Sequence, residues 1–410
     1  MKHAGVHGLV RRTHEERVLG VLREHGVLSR GEIADRVGLS RTTISEITGN
    51  LLARGAIVVV DTDAASREGS GRPAERLALD PASGQYMGID FGHRRVQIAV
   101  ADASHEVIAA DSEAYGDSST WDERLSSAFA LIDRITVGSG MHLGALQGIG
   151  IGVIGPYPTT PLVRPQEGWG RTESARGIDA VFADRFGARV IVDNNTRFAA
   201  LAEAISESGA TVQDLLYVRL SDGVGGGLVV GGRLVTGSAG LAGEFGHITA
   251  VPGGRRCRCG KQGCVETVAS VPAMLAEIRA RGVDVGTLDD LGREVARSQP
   301  VVDEVLREAG AAVGRALGAA AMAVNPARIV IGGEITNIAP AIVEHIASTL
   351  RYELSCVAEA MPTVKASERP DFAGAIGAIA ALFRESPVLA AYPAATGAIQ
   401  QPTTTRSSIR

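Results

Sequence analysis

Three of the chain's four cysteines fall within eight positions, in Cys257-Arg258-Cys259-Gly260-Lys261-Gln262-Gly263-Cys264, and His247 lies ten residues upstream. Three thiolates and an imidazole are the donor set of a closed tetrahedral zinc site, and a metal held there pins every backbone segment that supplies a ligand. Gly260 and Gly263 let the chain fold back so that Cys264 can join the first pair. A disulfide with spare thiols is the competing reading. The absence of a secretory apolar segment and the isolation of Cys356 favour the metal. The expected centre is a structural Zn2+ on His247, Cys257, Cys259 and Cys264, with no position left for water.

A chain of 410 residues has length for two or three domains and a large core. No apolar run reaches the length of a transmembrane helix, and the first residues are polar and basic. A soluble cytoplasmic protein with no membrane partner is the expectation. The net charge of −5 excludes a general polycation, so any nucleic-acid contact must come from a local surface.

Residues 1–80 read as a DNA-binding domain. A first helix runs from about Thr13 to His25 and stops at Gly26. Ser29, with Glu32 three residues on, is a capping box that starts a second helix, whose buried side is Ile33, Ala34 and Val37. Gly38-Leu39-Ser40 turns the chain into a third helix from Arg41 to about Ala53. There Ile44, Ile47 and Leu51 recur at helical spacing, while Thr42, Ser45, Glu46 and Gly49 lie opposite, with Arg41 and Thr43 at the N-terminal end. Small hydrogen-bonding side chains on the open face of such a helix describe a helix-turn-helix reading head. Two strands, 56–61 and 75–79, flank a tip containing Arg67, Gly69, Ser70, Gly71 and Arg72, a wing suited to phosphates or a minor groove. Residues 11–54 hold eight arginines against six acids, so pattern carries this reading more than charge does. An ordinary three-helix bundle with a solvated face is the alternative.

Asp80-Pro81-Ala82-Ser83-Gly84 is a linker. From Tyr86 the chain mixes hairpins with strand–helix alternation. Strands are expected at 86–92, 96–101, 107–110, 146–154, 189–192, 215–220, 228–234 and 328–331, and helices at 121–135, 198–205, 272–281, 301–324, from Pro340, and 374–383. Glycine turns at strand ends, including Ser221-Asp222-Gly223-Val224-Gly225-Gly226-Gly227 and Gly332-Gly333, fit a two-lobed α/β protein over 81–385 with its ligand in the cleft. Residues 386–410, rich in Ala, Pro, Thr, Gln and Ser, read as a disordered tail.

From Arg11 to Phe383 the sequence resembles the ROK family (repressors, open reading frames and sugar kinases), in its DNA-binding regulator branch. Gly243-Glu244-Phe245-Gly246-His247 and the Cys257/Cys259/Cys264/Glu266 segment carry the resemblance most specifically. It implies an actin-like, hexokinase-like fold with a sugar between two lobes, preceded by a winged helix-turn-helix. It also implies that Glu244, His247 and Glu266 hydrogen-bond sugar hydroxyls, the metal fixing the imidazole so that its other nitrogen faces the ligand.

Family kinases carry an Asn-Asp pair whose Asp takes the proton of the attacked hydroxyl. Here the pair is Asn194-Asn195, which can still bind sugar, but loss of the base alone removes about 10²–10⁴-fold in rate. The first phosphate loop, Asp-x-Gly-Gly-Thr in the kinases, is Asp90-Phe91-Gly92-His93-Arg94. The second has Asp222 where kinases commonly have Thr, a carboxylate beside a triphosphate. Ile154-Gly155-Pro156 and Gln166-Glu167-Gly168-Trp169 also depart from the kinase pattern, so the resemblance does not name the sugar. The expectation is a sugar-responsive transcriptional regulator, a repressor, acting as a homodimer or homotetramer on a pseudo-palindromic operator. No ATP is expected. An ATP-dependent sugar kinase with an attached DNA-binding domain is the alternative, and a scaffold docking another protein is a third reading.

Overall fold

The computed structural model describes residues 14–385, apart from 16, 23–24, 54–55, 63–74, 81–83, 103–105, 117, 140–145, 156, 158–174, 176, 206–211, 356–360 and 369–371. The wing tip with Arg67 and Arg72, the 166–169 segment, Cys356 and the tail 386–410 lie outside the described residues.

The N-terminal unit follows the expected order. The described residues between 14 and 25 are helical, then β1 (Leu28–Ser29) leads into the Arg30–Val37 helix. Ser29 and Glu32 exchange both hydrogen bonds of the capping box, and Gly38 ends the helix at φ 71° in the left-handed region where a Cβ is unfavourable. The next helix spans Arg41–Ala53, and its first turn is closed by Ser40 Oγ accepting from the Thr43 amide at 3.2 Å. Strands β2 (Ile57–Thr62) and β3 (Glu75–Leu79) pair antiparallel, with β1 on the far side of β3. Val18, Leu22, Ile33, Val37, Ile44, Ile47, Leu51, Ile57 and Leu77 form one core beneath this sheet.

The remainder is built twice on one plan. In the first half β4 (Gln85–Phe91), β5 (Arg95–Asp102) and β6 (Val107–Ala114) form a meander, and β7 (Leu146–Val153) and β8 (Arg189–Asn194) add in parallel, giving the order β6-β5-β4-β7-β8. In the second half β9 (Leu215–Leu220), β10 (Val224–Val230) and β11 (Arg233–Val235) form the meander, and β12 (Arg328–Gly332) and β13 (Thr363–Ala366) add in parallel, giving β11-β10-β9-β12-β13. Order and strand sense are identical, the duplicated architecture of an actin-like protein.

Each sheet is covered on both faces, so its central strands read as nearly continuous apolar runs. Met87, Ile89 and Phe91 of β4 pack with Leu131, Ile135 and Phe182 from the Trp121–Ser139 and Ile178–Phe186 helices. Leu216, Val218 and Leu220 of β9 face the Val271–Ala280, Pro300–Val324 and Ala341–Leu354 helices. The two remaining faces are filled by a pair of helices, Asn195–Ala204 on the second sheet and Ala373–Glu385 on the first, which pack on each other. Both are rich in alanine because the space is narrow. A Cβ at Gly377 would sit 1.7 Å from the Phe198 carbonyl, and one at Gly150 would sit 2.6 Å from that of Ala378.

The structure differs from the sequence reading in several elements. The glycine run does not form one long loop: only Ser221–Gly223 turn, and β10 begins at Val224. Gly225–Gly227 are strand residues pressed against Thr196, Phe245 and Ala200, where added Cβ atoms would come within 2.5–2.8 Å of those side chains. Two helices, Ile178–Phe186 and Leu288–Ala296, and the short strand β13 were not expected. Leu288–Ala296 buries only Leu291, so its apolar stripe is thin, yet Thr287 and Asp290 cap it reciprocally.

Candidate functional site

The metal-type cluster is real in three dimensions. One ligand atom from each of His247, Cys257, Cys259 and Cys264 lies within 4.8 Å of all the others. His247 sits in a single 3₁₀ turn, Phe245–His247, and the cysteines sit on a tight ribbon joined by the Arg256/Gln262 and Thr249/Cys264 bridges. Gly263 makes the ribbon possible: it has φ 72°, and a Cβ there would lie 1.6 Å from the Val251 carbonyl oxygen. His247 Nδ1 is 3.5 Å from Cys257 Sγ, and Cys259 Sγ is 3.6 Å from Cys264 Sγ. Four donors at about 2.0–2.3 Å from one tetrahedral ion must stand about 3.3–3.8 Å apart, so these spacings fit. They do not fit a disulfide, whose sulfurs are about 2.05 Å apart. The residues can hold a metal ion.

The other imidazole nitrogen faces away from the thiols, with Nε2 3.9 Å from Glu244 Oε2. His247, Glu244, Glu266, Asn194 and Asn195 all line one cleft of about 340 Å³ between the two halves. The five residues expected to meet a sugar are therefore gathered from three separate stretches of sequence. Burial pushes the Glu244 carboxyl up to about 7, with Arg197 opposing and Glu266 adding to the shift.

Their roles differ. Glu266 begins a short helix, Glu266–Ala269, and its carboxylate accepts from the Val224 amide at 3.2 Å. It also receives the Arg258 guanidinium on both oxygens, at 2.9 and 3.0 Å. Arg258, placed between two cysteines of the cluster, is a cleft residue that the sequence reading missed. Asn194 caps the Asn195–Ala204 helix, its Oδ1 accepting from the Thr196 amide (2.8 Å) and hydroxyl (2.6 Å), and its Nδ2 donates to the Gly155 carbonyl at 2.8 Å. Its acceptor capacity is spent on architecture. Asn195 Nδ2 donates to Asp90 Oδ1 at 2.8 Å, and Arg219 stands 3.7 Å from the other oxygen of Asp90. A carboxylate at 195 would face Asp90 with like charge; the amide supplies a donor instead.

The two turns that the sequence reading compared with kinase phosphate loops meet across the cleft. Arg94, in the β4–β5 turn, donates from Nε to Asp222 Oδ2 at 3.1 Å and from Nη2 to Oδ1, Asp222 being in the β9–β10 turn. Beside them Arg95 is 3.8 Å from Glu334, which also accepts from Ser221 Oγ at 2.9 Å. Burial alone would raise the Glu334 carboxyl; Arg219, Ser221 and Arg95 together hold it below its ordinary value.

Comparison with known proteins agrees with the fold. The ROK family model matches residues 86–385, about three-quarters of the sequence. The chain belongs to the ROK family. A winged helix-turn-helix DNA-binding model matches residues 11–58. The N-acetylglucosamine repressor of Escherichia coli O6:H1 is 27% identical over 391 residues, covering 92% of this ROK protein and 93% of that one. A crystallised ROK family transcriptional regulator, described as a homologue of the E. coli MLC protein, aligns with a TM-score of 0.71 at 24% identity over 93% of this chain and 98% of its own. A ROK family glucokinase from Streptomyces griseus, solved with glucose and AMPPNP, aligns with a TM-score of 0.60 at 25% identity over 73% and 99%. The glucokinase matches almost completely while leaving over a quarter of this chain uncovered. The regulator covers nearly all of it.

In the N-terminal unit Arg41, Thr42, Ser45 and Glu46 are exposed and Thr43 is half-buried, while Ile44, Ile47 and Leu51 are buried. The polar face of the Arg41–Ala53 helix is thus open. Thr48, at 0% exposure, is the polar residue on the wrong side: its hydroxyl donates to the Ile44 carbonyl at 2.8 Å and accepts from Arg30 Nε at 3.0 Å. Arg30 in turn pairs with Glu75 of the wing at 2.7 Å.

Proposed function

We propose that this ROK protein is a sugar-responsive, DNA-binding transcriptional regulator, a repressor, whose cleft binds a sugar or sugar derivative without phosphorylating it. One observation carries the reading: Glu244, His247 and Glu266 converge on a cleft in the same chain as an open-faced winged helix-turn-helix, while the position of the kinase base is an amide already bonded to Asp90. An amide has no useful basicity near neutral pH, so the cleft can recognise hydroxyls but not deprotonate one.

In this reading Arg41, Thr42, Thr43, Ser45 and Glu46 meet base edges and phosphates in a major groove. Arg67 and Arg72 contact the DNA backbone from the wing. A homodimer presents two such helices to a pseudo-palindromic operator. The metal is zinc and structural, tying the His247 turn to the Cys ribbon so that His247 Nε2, Glu244 and Glu266 keep fixed positions around the ligand. Sugar weakens operator binding because it prefers the state that binds DNA less well; equal affinity for both states would shift nothing.

The experiment is operator binding by the purified chain, using its own upstream DNA, titrated with neutral sugars and sugar phosphates at fixed salt. One compound of the panel should weaken operator binding at least fivefold, and Glu266→Gln should abolish that response while leaving sugar-free DNA binding intact. Binding to random and upstream DNA with equal affinity at all salt concentrations would sink the regulator reading. Sugar-dependent ADP formation by the wild-type chain would sink the non-enzymatic part of it.

A further inference from the structure

The changes in the two phosphate loops are not independent losses. Arg94 lies in the β4–β5 hairpin turn and Asp222 in the β9–β10 turn, the equivalent hairpins of the two duplicated halves. The two side chains satisfy each other through two parallel N–H···O contacts. Arg95 and Glu334 repeat the arrangement one step away, again with the cation on the first half and the anion on the second. Both turns line the cleft that contains Glu244, His247 and Glu266.

We propose that Arg94 and Asp222 are positioning residues that latch the two lobes across the former phosphate site, so that their own charges do what a bridging nucleotide would otherwise do. This rests on the reading of the cleft as a sugar sensor and deepens it, because it makes lobe closure independent of ATP and answerable to sugar alone. A cleft held partly closed keeps Glu244 and Glu266, which come from the second half, opposite Gly155 and Asn194, which come from the first. The geometry is bidentate, with the Asp222 side chain 18% exposed and that of Arg94 53% exposed, so salt screens the pair in part. The apparent affinity for a ligand of the closed state scales with the fraction of molecules already closed.

The test uses four full-length proteins: wild type, Arg94→Asp, Asp222→Arg, and the double variant with the charges exchanged. Amide hydrogen exchange of the two turns, residues 92–95 and 221–224, is measured without sugar, and binding of the panel's active sugar is measured by calorimetry. Each single variant should exchange faster in both turns and bind sugar about fivefold more weakly or worse, the effect of roughly one lost pair. The exchanged pair should recover most of both. Ordinary structural damage would not be rescued by swapping charges, so two single defects that persist or add in the double variant overturn the latch. Wild-type exchange and sugar binding in both single variants overturn it equally. If the wild type binds no sugar, the sensor reading fails by itself, and the exchange measurement still decides whether the turns are latched.

Discussion

At the scale of single residues, the metal cluster and the cleft differ in how much the sequence revealed. The spacing of Cys257, Cys259 and Cys264 with His247 announced the cluster because those residue types do little else in such density, and the structure assembles all four. Replacing Cys257 with Ser removes a soft donor from a closed site, so metal affinity should fall by at least the ~10- to 100-fold that follows loss of a supporting partner. Metal analysis of the purified variant checks this; full stoichiometry together with an unchanged sugar response would count against any role for the cluster. Asn195, by contrast, announced only what it lacks. Its bond to Asp90 depends on the end of β4 arriving from elsewhere, as the bond from Asn194 to Gly155 depends on the end of β7, whereas the cap of Asn194 on Thr196 is local.

Among elements, the Arg41–Ala53 helix was the most legible, because 3.6-residue periodicity and the glycine turn before it fix its start and its buried side. Its open face makes a directional prediction. Ser45→Ala or Glu46→Ala should alter preference at individual operator positions by roughly 1–3 kcal/mol, whereas Arg41→Ala, at the exposed N-terminal end, should weaken operator and random DNA alike. Competition binding against a set of single-base operator variants distinguishes the two; identical effects of all three substitutions on every sequence would remove the helix from base reading. Less legible was the start of β10, at Val224. A run of glycines reads as a loop when only local conformational freedom is considered. Here Gly225–Gly227 are small because Thr196, Phe245 and Ala200 lie against the strand.

For the molecule as a whole, the duplicated sheets and the pair of alanine-rich helices between them form the frame on which the cleft is built. The kinase chemistry of such a frame needs a base and two phosphate loops at once. Asn195→Asp should therefore not restore turnover, because Arg94 and Asp222 would still span the mouth of the cleft. Coupled ADP detection with a hexose panel checks this, and measurable sugar-dependent turnover by that variant would show that the base alone was missing. The sequence by itself determined the helix-turn-helix and the metal-type cluster, each written in local spacing and residue type, and its resemblance to ROK proteins implied the fold. Only the tertiary structure decided that Arg258 occupies Glu266, that Asn195 serves Asp90 and that Arg94 reaches Asp222. Those pairings join residues 8, 105 and 128 positions apart, and for the two long ones nothing in local spacing records which side chains the folded backbone will bring together.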